Sequence, residues 1–359
     1  MRKNVIFQIN GGIGKCIAAT AVCSAIKKKY NDYDLIVLSG YPEVFLNNPN
    51  VKKSLAFQNI SYFYQDYIEN NSIELFFHDP YMTTDFIKEE KHLIEIWCEL
   101  FGLTYQGEFP QIFMTQREIE SFQKQINVDK PIMLLHTNGG GDTNRKYSWA
   151  RDLPTSVVAK VVEEFKDKYA IFHVKREDQL GYPGTFAVTG NFRFIIAVAM
   201  LSQKRLVIDS FMQHAFAALK LPSVACWIVN KPKVFGYDLH THIFANDYTT
   251  KPELRNSVFS QFNISGEELE FPYNNETEIF NTDDIIAALK IGTHNFNTIQ
   301  QQQPKQTTQS QTPQGMVNKV ESIEILEPIE EKLLTTPTSE NLISENKIVS
   351  ENGENILSE

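Results

Sequence analysis

Apolar and polar positions along the chain fall into two successive series of short apolar runs, each followed by residues at helical spacing. Asn4 to Ile9 is the first run, and Asn10-Gly11-Gly12-Ile13-Gly14-Lys15 turns the chain into a helix predicted from about Cys16 to Tyr30. Ala18, Ala19, Ala21, Val22, Ala25 and Ile26 make that helix small and apolar nearly all round, as expected of a helix packed on a sheet. Leu35 to Leu38 is the next strand, so the chain opens as a βαβ unit of a parallel sheet. Ser54 to Pro80 is strand-like and aromatic, with Tyr62, Phe63, Tyr64 and Tyr67, then Ile73 to Phe77 ending in His78-Asp79. Asp85 to Leu103 has the spacing of one long helix with His92 near its middle. Gln106 to Asp129 holds a Pro-containing connector, a short strand at Ile112 to Met114 and a charged helix from Gln116 to Gln125, the expected bridge between two domains.

The second series starts with a buried strand, Pro131 to His136, and a flexible loop, Thr137-Asn138-Gly139-Gly140-Gly141-Asp142-Thr143. A helix follows from Leu153-Pro154 through Tyr169, then a strand, Ala170 to Val174, ending in Lys175-Arg176-Glu177, and a helix from Phe194 to Leu201. Leu206 to Ile208 is a strand, Asp209 and Ser210 stand where a helix N-cap belongs, and Met212 to Leu219 carries a helical pattern. Leu221-Pro222 stops that helix, Val224 to Val229 resumes as a buried strand, and Asp283 to Leu289 supplies a last short helix. Beyond it, Gln300 to Gln314 is rich in Gln, Thr and Pro, and Val320 to Glu359 is acidic with scattered apolar pairs, a composition expected to stay disordered. The pattern predicts an α/β protein of two Rossmann-like domains, 1–128 and 129–292, with a disordered tail over 293–359.

Composition narrows the class. The 359 residues are 42% hydrophobic and 12% aromatic, enough for a substantial core, and no run approaches the ~18 apolar residues of a membrane span. The basic start, MRKNVIFQING, precedes an apolar run too short for a signal peptide, so a cytoplasmic protein is expected. Cys16, Cys23, Cys98 and Cys226 are scattered in apolar segments with no zinc spacing, which fits buried thiols in a reducing compartment. A net charge of -10, of which ten Glu against four Lys lie beyond Gln300, argues against general nucleic-acid binding.

Two turns carry candidate chemistry. At Asp209-Ser210, unpaired backbone N–H groups and the positive end of a helix dipole stand beside two oxygen-bearing side chains, which suits a phosphate or a ribose. His214 lies four residues after Ser210 on the same helix face; the same residues also make an ordinary helix cap with a packing histidine. The glycines of Gly11 to Lys15 let the backbone approach a ligand at the carboxyl end of the first strand. GGIGK also resembles an ATPase phosphate loop of the ParA and MinD group, but its magnesium position is Cys16, a soft thiol mismatched to a hard cation. His240 and His242, spaced by one residue, are weak metal candidates, and no metal site is expected.

The run from Asp209 to Ile228, with its Ala-rich helix, Leu-Pro break and Val-Ala strand, resembles the nucleotide-sugar segment of heptosyltransferase-like enzymes, glycosyltransferase family nine. The opening strand, Gly-Ile-Gly turn, helix with Thr20 and the segment Gly40 to Val51 are similar to the start of the same family, and Lys146 with Trp149 resembles its donor-phosphate lysine. The resemblance implies two lobes facing a cleft (GT-B) and inverting, metal-independent transfer from a nucleotide-sugar donor to a glycan or lipid-linked acceptor. The nucleotide sugar is then a substrate, and no cofactor, nucleic-acid partner or transmembrane segment is implied. It implies donor contacts from Asp209, Ser210, Met212, Gln213, His214, Lys146, Thr137, Asn138 and Lys175, and an acceptor-side loop of Asn10, Gly11, Gly12 and Gly14. The family commonly carries an Asp after Gly-Ile-Gly as general base, where this chain has Lys15, so His92, His78 and Asp79 are substitutes beside Lys15 itself. Two alternatives stay open: a catalytically degenerate protein that binds a sugar nucleotide or glycan, and an ATPase using Gly11 to Lys15.

Overall fold

The computed structural model describes residues 2–57, 60–139, 148–252 and 270–291. The first series folds as a four-stranded parallel sheet of β1 (Lys3–Ile9), β2 (Asp34–Ser39), β3 (Lys53–Ala56) and β4 (Ser72–Phe76), in the order β3-β2-β1-β4. Central β1 buries Val5, Ile6 and Phe7 on both faces, which is why it reads as a continuous apolar run. Helix α1 (Ile13–Lys29) follows, and every residue from Lys15 to Cys23 is buried.

The helix expected over Asp85 to Leu103 is two helices, α2 (Thr84–Ile87) and α3 (Leu93–Leu100). The polar run Lys88 to Lys91 interrupts the apolar spacing, and Glu89 takes a left-handed φ of 54°. His92 is therefore the N-cap of α3, not a mid-helix residue. Ile112 to Met114, expected as a strand, is irregular chain whose Ile112 and Met114 side chains are nevertheless buried. Helix α4 (Gln116–Gln123) closes the connector with a capping box, Thr115 and Glu118 each bonding the other's backbone N–H.

The second series folds as a six-stranded parallel sheet ordered β10-β9-β8-β5-β6-β7. In chain order it comprises β5 (Ile132–His136), α5 (Thr155–Phe165), β6 (Ala170–Val174), β7 (Thr185–Val188), α6 (Phe192–Leu201), β8 (Ser202–Ile208), α7 (Phe211–Ala218), β9 (Val224–Trp227), α8 (Pro232–Phe235) and β10 (Thr241–Phe244), with α9 (Thr282–Ile291) returning to pack on α5. One apolar cluster runs from Phe7, Trp97 and Phe101 through α1 into Val198, Phe216 and Ala217, so α1, α6 and α7 are packed between the two sheets. A second cluster lies on the other face of the larger sheet, under α5 and α9. The tail over 293–359 and Lys146 lie outside the described residues.

Candidate functional site

All strands of a parallel sheet end at one edge, and in open α/β sheets ligands bind at that carboxyl edge. On the smaller sheet, the chain leaves β1 through the glycine turn. Gly11 has φ +116°, open to glycine alone, and a Cβ there would stand 3.0 Å from Lys15 Cδ, because the lysine side chain folds back over the turn. Lys15 is buried; its Nζ lies 2.7 Å from Asp79 Oδ1, 4.4 Å from the Tyr81 ring centroid and 5.6 Å from that of Trp97. Asp79 follows β4, and the same Oδ1 accepts the Tyr81 N–H at 3.0 Å, capping the short turn Pro80–Met82. Oδ2 makes no hydrogen bond to another described residue, and the side chain is 34% exposed. The edge therefore holds one carboxylate oxygen fixed by two donors and one open.

On the larger sheet the edge is formed by Thr137 and Asn138 after β5, Lys175 after β6, Asp209 and Ser210 after β8, and Asn230 after β9. Thr137 Oγ1 bonds Asn138 Oδ1 and His173 Nε2, both at 2.9 Å. Asp152 accepts the Gly139 N–H at 2.6 Å and the Ser148 N–H at 2.9 Å, so one carboxylate ties Gly139 to Ser148. Asp209 is buried, accepts a hydrogen bond from Asn230 Nδ2 and stands 3.9 Å from the Arg151 guanidinium. Ser210 occupies the N-cap position of α7, but its hydroxyl makes no capping bond. A depression of about 480 Å³ lies beside Asn138, walled by Leu153, Gln179, Leu180 and Tyr182.

The two edges meet at α7. A Cβ on Gly14 would come within 3.2 Å of Phe211 Cα and of His214 Cδ2, so α1 starts in direct contact with the head of α7 and leaves Ser210 and Phe211 half-buried. Tyr81 and Phe86 pack on Phe235 from the other sheet, with centroids 6.2 and 5.8 Å away. His214 Nδ1 bonds the Tyr237 hydroxyl at 2.8 Å, and the His92 ring lies 5.2 Å from Tyr237. His92 Nδ1 accepts the Ile94 N–H, and its Nε2 faces the Phe235 and Gly236 backbone without a well-formed hydrogen bond. Burial holds these rings neutral, pushing His92 down to about 4 and His214 to about 3.

These contacts sort the sequence candidates. Asp79, Lys15, Gly14, Asp209, Ser210 and His214 come together at the seam, while Asn10, Gly11 and Gly12 lie exposed at its N-terminal side. Met212 and Gln213 are fully buried, Gln213 donating to the Phe235 carbonyl, so both hold α7 in place. Lys175 is half-buried beyond β6, and His78 is exposed against Phe77 with centroids 4.4 Å apart. Lys15 is turned into its ion pair and Cys16 is fully buried with its thiol pushed up to about 12 by burial, so neither group is presented as a phosphate loop would present it. Both ring nitrogens of His240 are used, on Ser223 Oγ and the Gln213 carbonyl, and His242 Nδ1 accepts from the Trp227 indole. Among the described residues no group of three or more His, Cys, Asp or Glu is arranged to hold a metal.

Arg151, Tyr81, Asn230 and Tyr237 were not among the residues singled out from the sequence. Arg151 had a weak signal, a basic residue just after the glycine loop, but the others belong to no recognisable motif and only tertiary packing brings them to the seam.

Comparison with solved structures follows the same outline. The glycosyl transferase family 9 protein of Veillonella parvula superposes with a TM-score of 0.54 at 12% identity, covering 81% of this chain and 96% of its own. TibC, an iron-containing dodecameric glycosyltransferase of enterotoxigenic E. coli, gives 0.56 at 10% identity over 81% of this chain and 76% of that one. ADP-heptose LPS heptosyltransferase II of E. coli gives 0.50 at 12% identity, covering 68% and 90%. The fold is GT-B. No protein-family model and no curated protein matches the sequence. At these identities the likeness is one of GT-B architecture, two parallel α/β sheets with helices packed between them, and the chemistry rests on this chain's own residues.

Proposed function

We propose that the protein is a glycosyltransferase that moves a sugar from a nucleotide-sugar donor to a hydroxyl group of a glycan or lipid-linked acceptor, with inversion and without a metal. The observation that carries this reading is Asp79: on the edge of one sheet its Oδ1 is held by Lys15 at 2.7 Å and its Oδ2 is left open, where α1 abuts the head of α7 from the other. Residues 1–128 serve the acceptor and 129–292 the donor, in the cytoplasm, where the four buried free thiols stay reduced. The donor diphosphate lies at the N-terminal N–H groups of α7, and the depression beside Asn138 gives its nucleoside room.

The acceptor oxygen attacks the anomeric carbon from the face opposite the diphosphate. As the new carbon–oxygen bond forms, the bond to the diphosphate oxygen breaks with its electron pair, and the acceptor proton passes to Asp79 Oδ2. The backbone N–H groups of α7 stabilise the charge that grows on the leaving diphosphate. Lys15 positions Asp79 by gripping Oδ1, which leaves Oδ2 free to accept. The lysine where the family commonly has an aspartate is thereby reconciled with base catalysis: the carboxylate comes from β4 and the cation from α1.

The structural neighbours include glycosyltransferases, and TibC has been solved in complex with ADP-D-beta-D-heptose, which supports a nucleotide-sugar donor here. The test is release of nucleoside diphosphate from a panel of nucleotide sugars with candidate acceptors, comparing the parent with Asp79→Asn. Acceptor-dependent release, lowered about 10²- to 10⁴-fold in the variant, is the expected result. The Lys15–Asp79 ion pair also favours a second reading, a degenerate binding protein whose carboxylate is locked. Sugar-nucleotide binding with no release from any donor would select it.

A further inference from the structure

We infer that the acceptor brought to Asp79 is an uncharged sugar, its ring lying on the exposed Phe77–His78 pair; the inference rests on the reading of Asp79 as the base. Basic residues of the first series are sorted by edge. Arg2 and Lys3 lie at the start of β1, Lys27 to Lys29 at the end of α1, and Lys52 and Lys53 at the start of β3, all at the amino edge of the smaller sheet. From Tyr30 to Val51 and from Ser54 to Ile87 the sequence has no Lys or Arg, so the turns after β2, β3 and β4 carry none. Lys15, after β1, is committed to Asp79. Further along, Lys88 stands 3.9 Å from Glu90, and Lys91 pairs with Asp85 and Glu99. Two carboxylates stand at the carboxyl edge instead: Asp79, and Glu43 in the turn after β2, whose charge reaches Cys16 at the head of α1. An acceptor bearing a phosphate or a carboxylate would meet these like charges, and the turns after the four strands offer it no uncommitted cation.

What flanks Asp79 is apolar. Along β4 the side chains alternate: Phe76 turns inward to stack on Phe101, with centroids 4.6 Å apart, while Phe77 turns outward and is 48% exposed. The His78 ring lies over Phe77 at 4.4 Å with the planes 24° apart, and it too is exposed. Asp79 follows two residues after Phe77, no more than about 7 Å along the chain. Met82, past the turn that Asp79 caps, is 82% exposed on the other side. The face of an aromatic ring is electron-rich, and the C–H groups on the flat side of a sugar carry slight positive charge, so the two pack together and leave the hydroxyls at the rim free. A neutral sugar seated on this pair keeps a hydroxyl within reach of Oδ2, and an edge lined by carboxylates and aromatic rings costs it nothing.

Acceptor-dependent release of nucleoside diphosphate, with saturation-transfer NMR of the same acceptors in the absence of donor, tests this on matched methyl glycosides. Glucoside, galactoside and mannoside are each set against their uronide and 6-phosphate, beside a serine-containing peptide. The expected result is a neutral glycoside used about 10-fold or more better than its charged counterparts. Phe77→Ala raises the acceptor KM about 3- to 10-fold with donor KM changed less than about twofold, and Phe77→Trp restores it. Glu43→Gln narrows the gap between neutral and charged sugars, because one repelling charge is gone. Thermal unfolding of each variant near the parent midpoint excludes loss of the fold. A charged glycoside or the peptide used in preference, or an unchanged acceptor KM in Phe77→Ala, overturns the inference and leaves the transferase reading standing. Neutral glycosides that bind, lose their signal in Phe77→Ala and give no release from any donor uphold the sugar surface and overturn the transferase reading. A parent that neither binds nor turns over any glycoside overturns both.

Discussion

Asp79 Oδ1 receives two donors, Lys15 Nζ at 2.7 Å and the Tyr81 N–H at 3.0 Å, and the roles of these residues separate by substitution. Asp79→Asn keeps the shape and removes the base, so turnover collapses while nucleotide affinity holds. Lys15→Met keeps the buried stem and frees the carboxylate to rotate; kcat should fall about tenfold or more with little change in donor KM. Equal loss of both parameters in Lys15→Met, measured by initial-rate kinetics, would contradict a positioning role. Gly14→Ala tests the contact beneath them: its methyl group meets Phe211 Cα, a backbone atom, at 3.2 Å, and stability should drop by about 1–3 kcal/mol in denaturant unfolding. At this scale the sequence named Lys15 and Asp79 separately, from a glycine turn and a strand end. Nothing in a one-dimensional pattern states that residues 64 positions apart share a proton-accepting pair.

Between elements, the seam of α1, α3, α7 and the segment after α8 is lined by neutral rings. His92 and His240 are pushed down to about 4 and His214 to about 3, in each case mainly by burial, and His136 and His173 at the edge of the larger sheet to about 3 likewise. The unfolded chain binds protons at these positions as pH drops below about 6.5 and the native chain does not, so the native state loses stability with falling pH. Each histidine contributes up to about 1.4 kcal/mol per pH unit in that window. The unfolding midpoint should therefore fall steeply between about pH 6.5 and 4, beginning before most carboxylates titrate; a flat midpoint from about pH 7 to 5 in a thermal scan would refute it. Elements were the most legible scale in the sequence, because β1, β5 and β8 are buried on both faces and announce themselves as apolar runs. Strand β7, half-buried and only four residues long, gave no such signal, and the polar break at Lys88 to Lys91 was hidden among apolar neighbours at helical spacing.

Across the whole molecule, the sheets are joined by more than the α1–α7 contact. Buried Arg193 of α6 binds Glu118 at 2.9 Å and the Phe113 carbonyl at 2.6 Å, fastening the connector to the second sheet, while Lys231, the N-cap residue of α8, pairs with Glu89. Arg193→Ala strands the partly exposed Glu118 and an irregular carbonyl, and should cost about 2–4 kcal/mol in denaturant unfolding; a loss below about 0.5 kcal/mol would show the connector held by packing alone. The two-sheet architecture followed from the repeated strand–helix pattern, whereas the meeting of the two carboxyl edges at Gly14 and Phe211 depends on a close approach that only coordinates reveal. The central claim is that a nucleoside diphosphate is held at the head of α7 facing Asp79. Amide hydrogen exchange, with and without whichever of UDP, ADP, GDP or dTDP binds, reads it most directly. The account predicts slowed exchange at Phe211 to Gln213 and at Asn138 to Gly139; protection confined to other segments, with these amides unchanged, would contradict it.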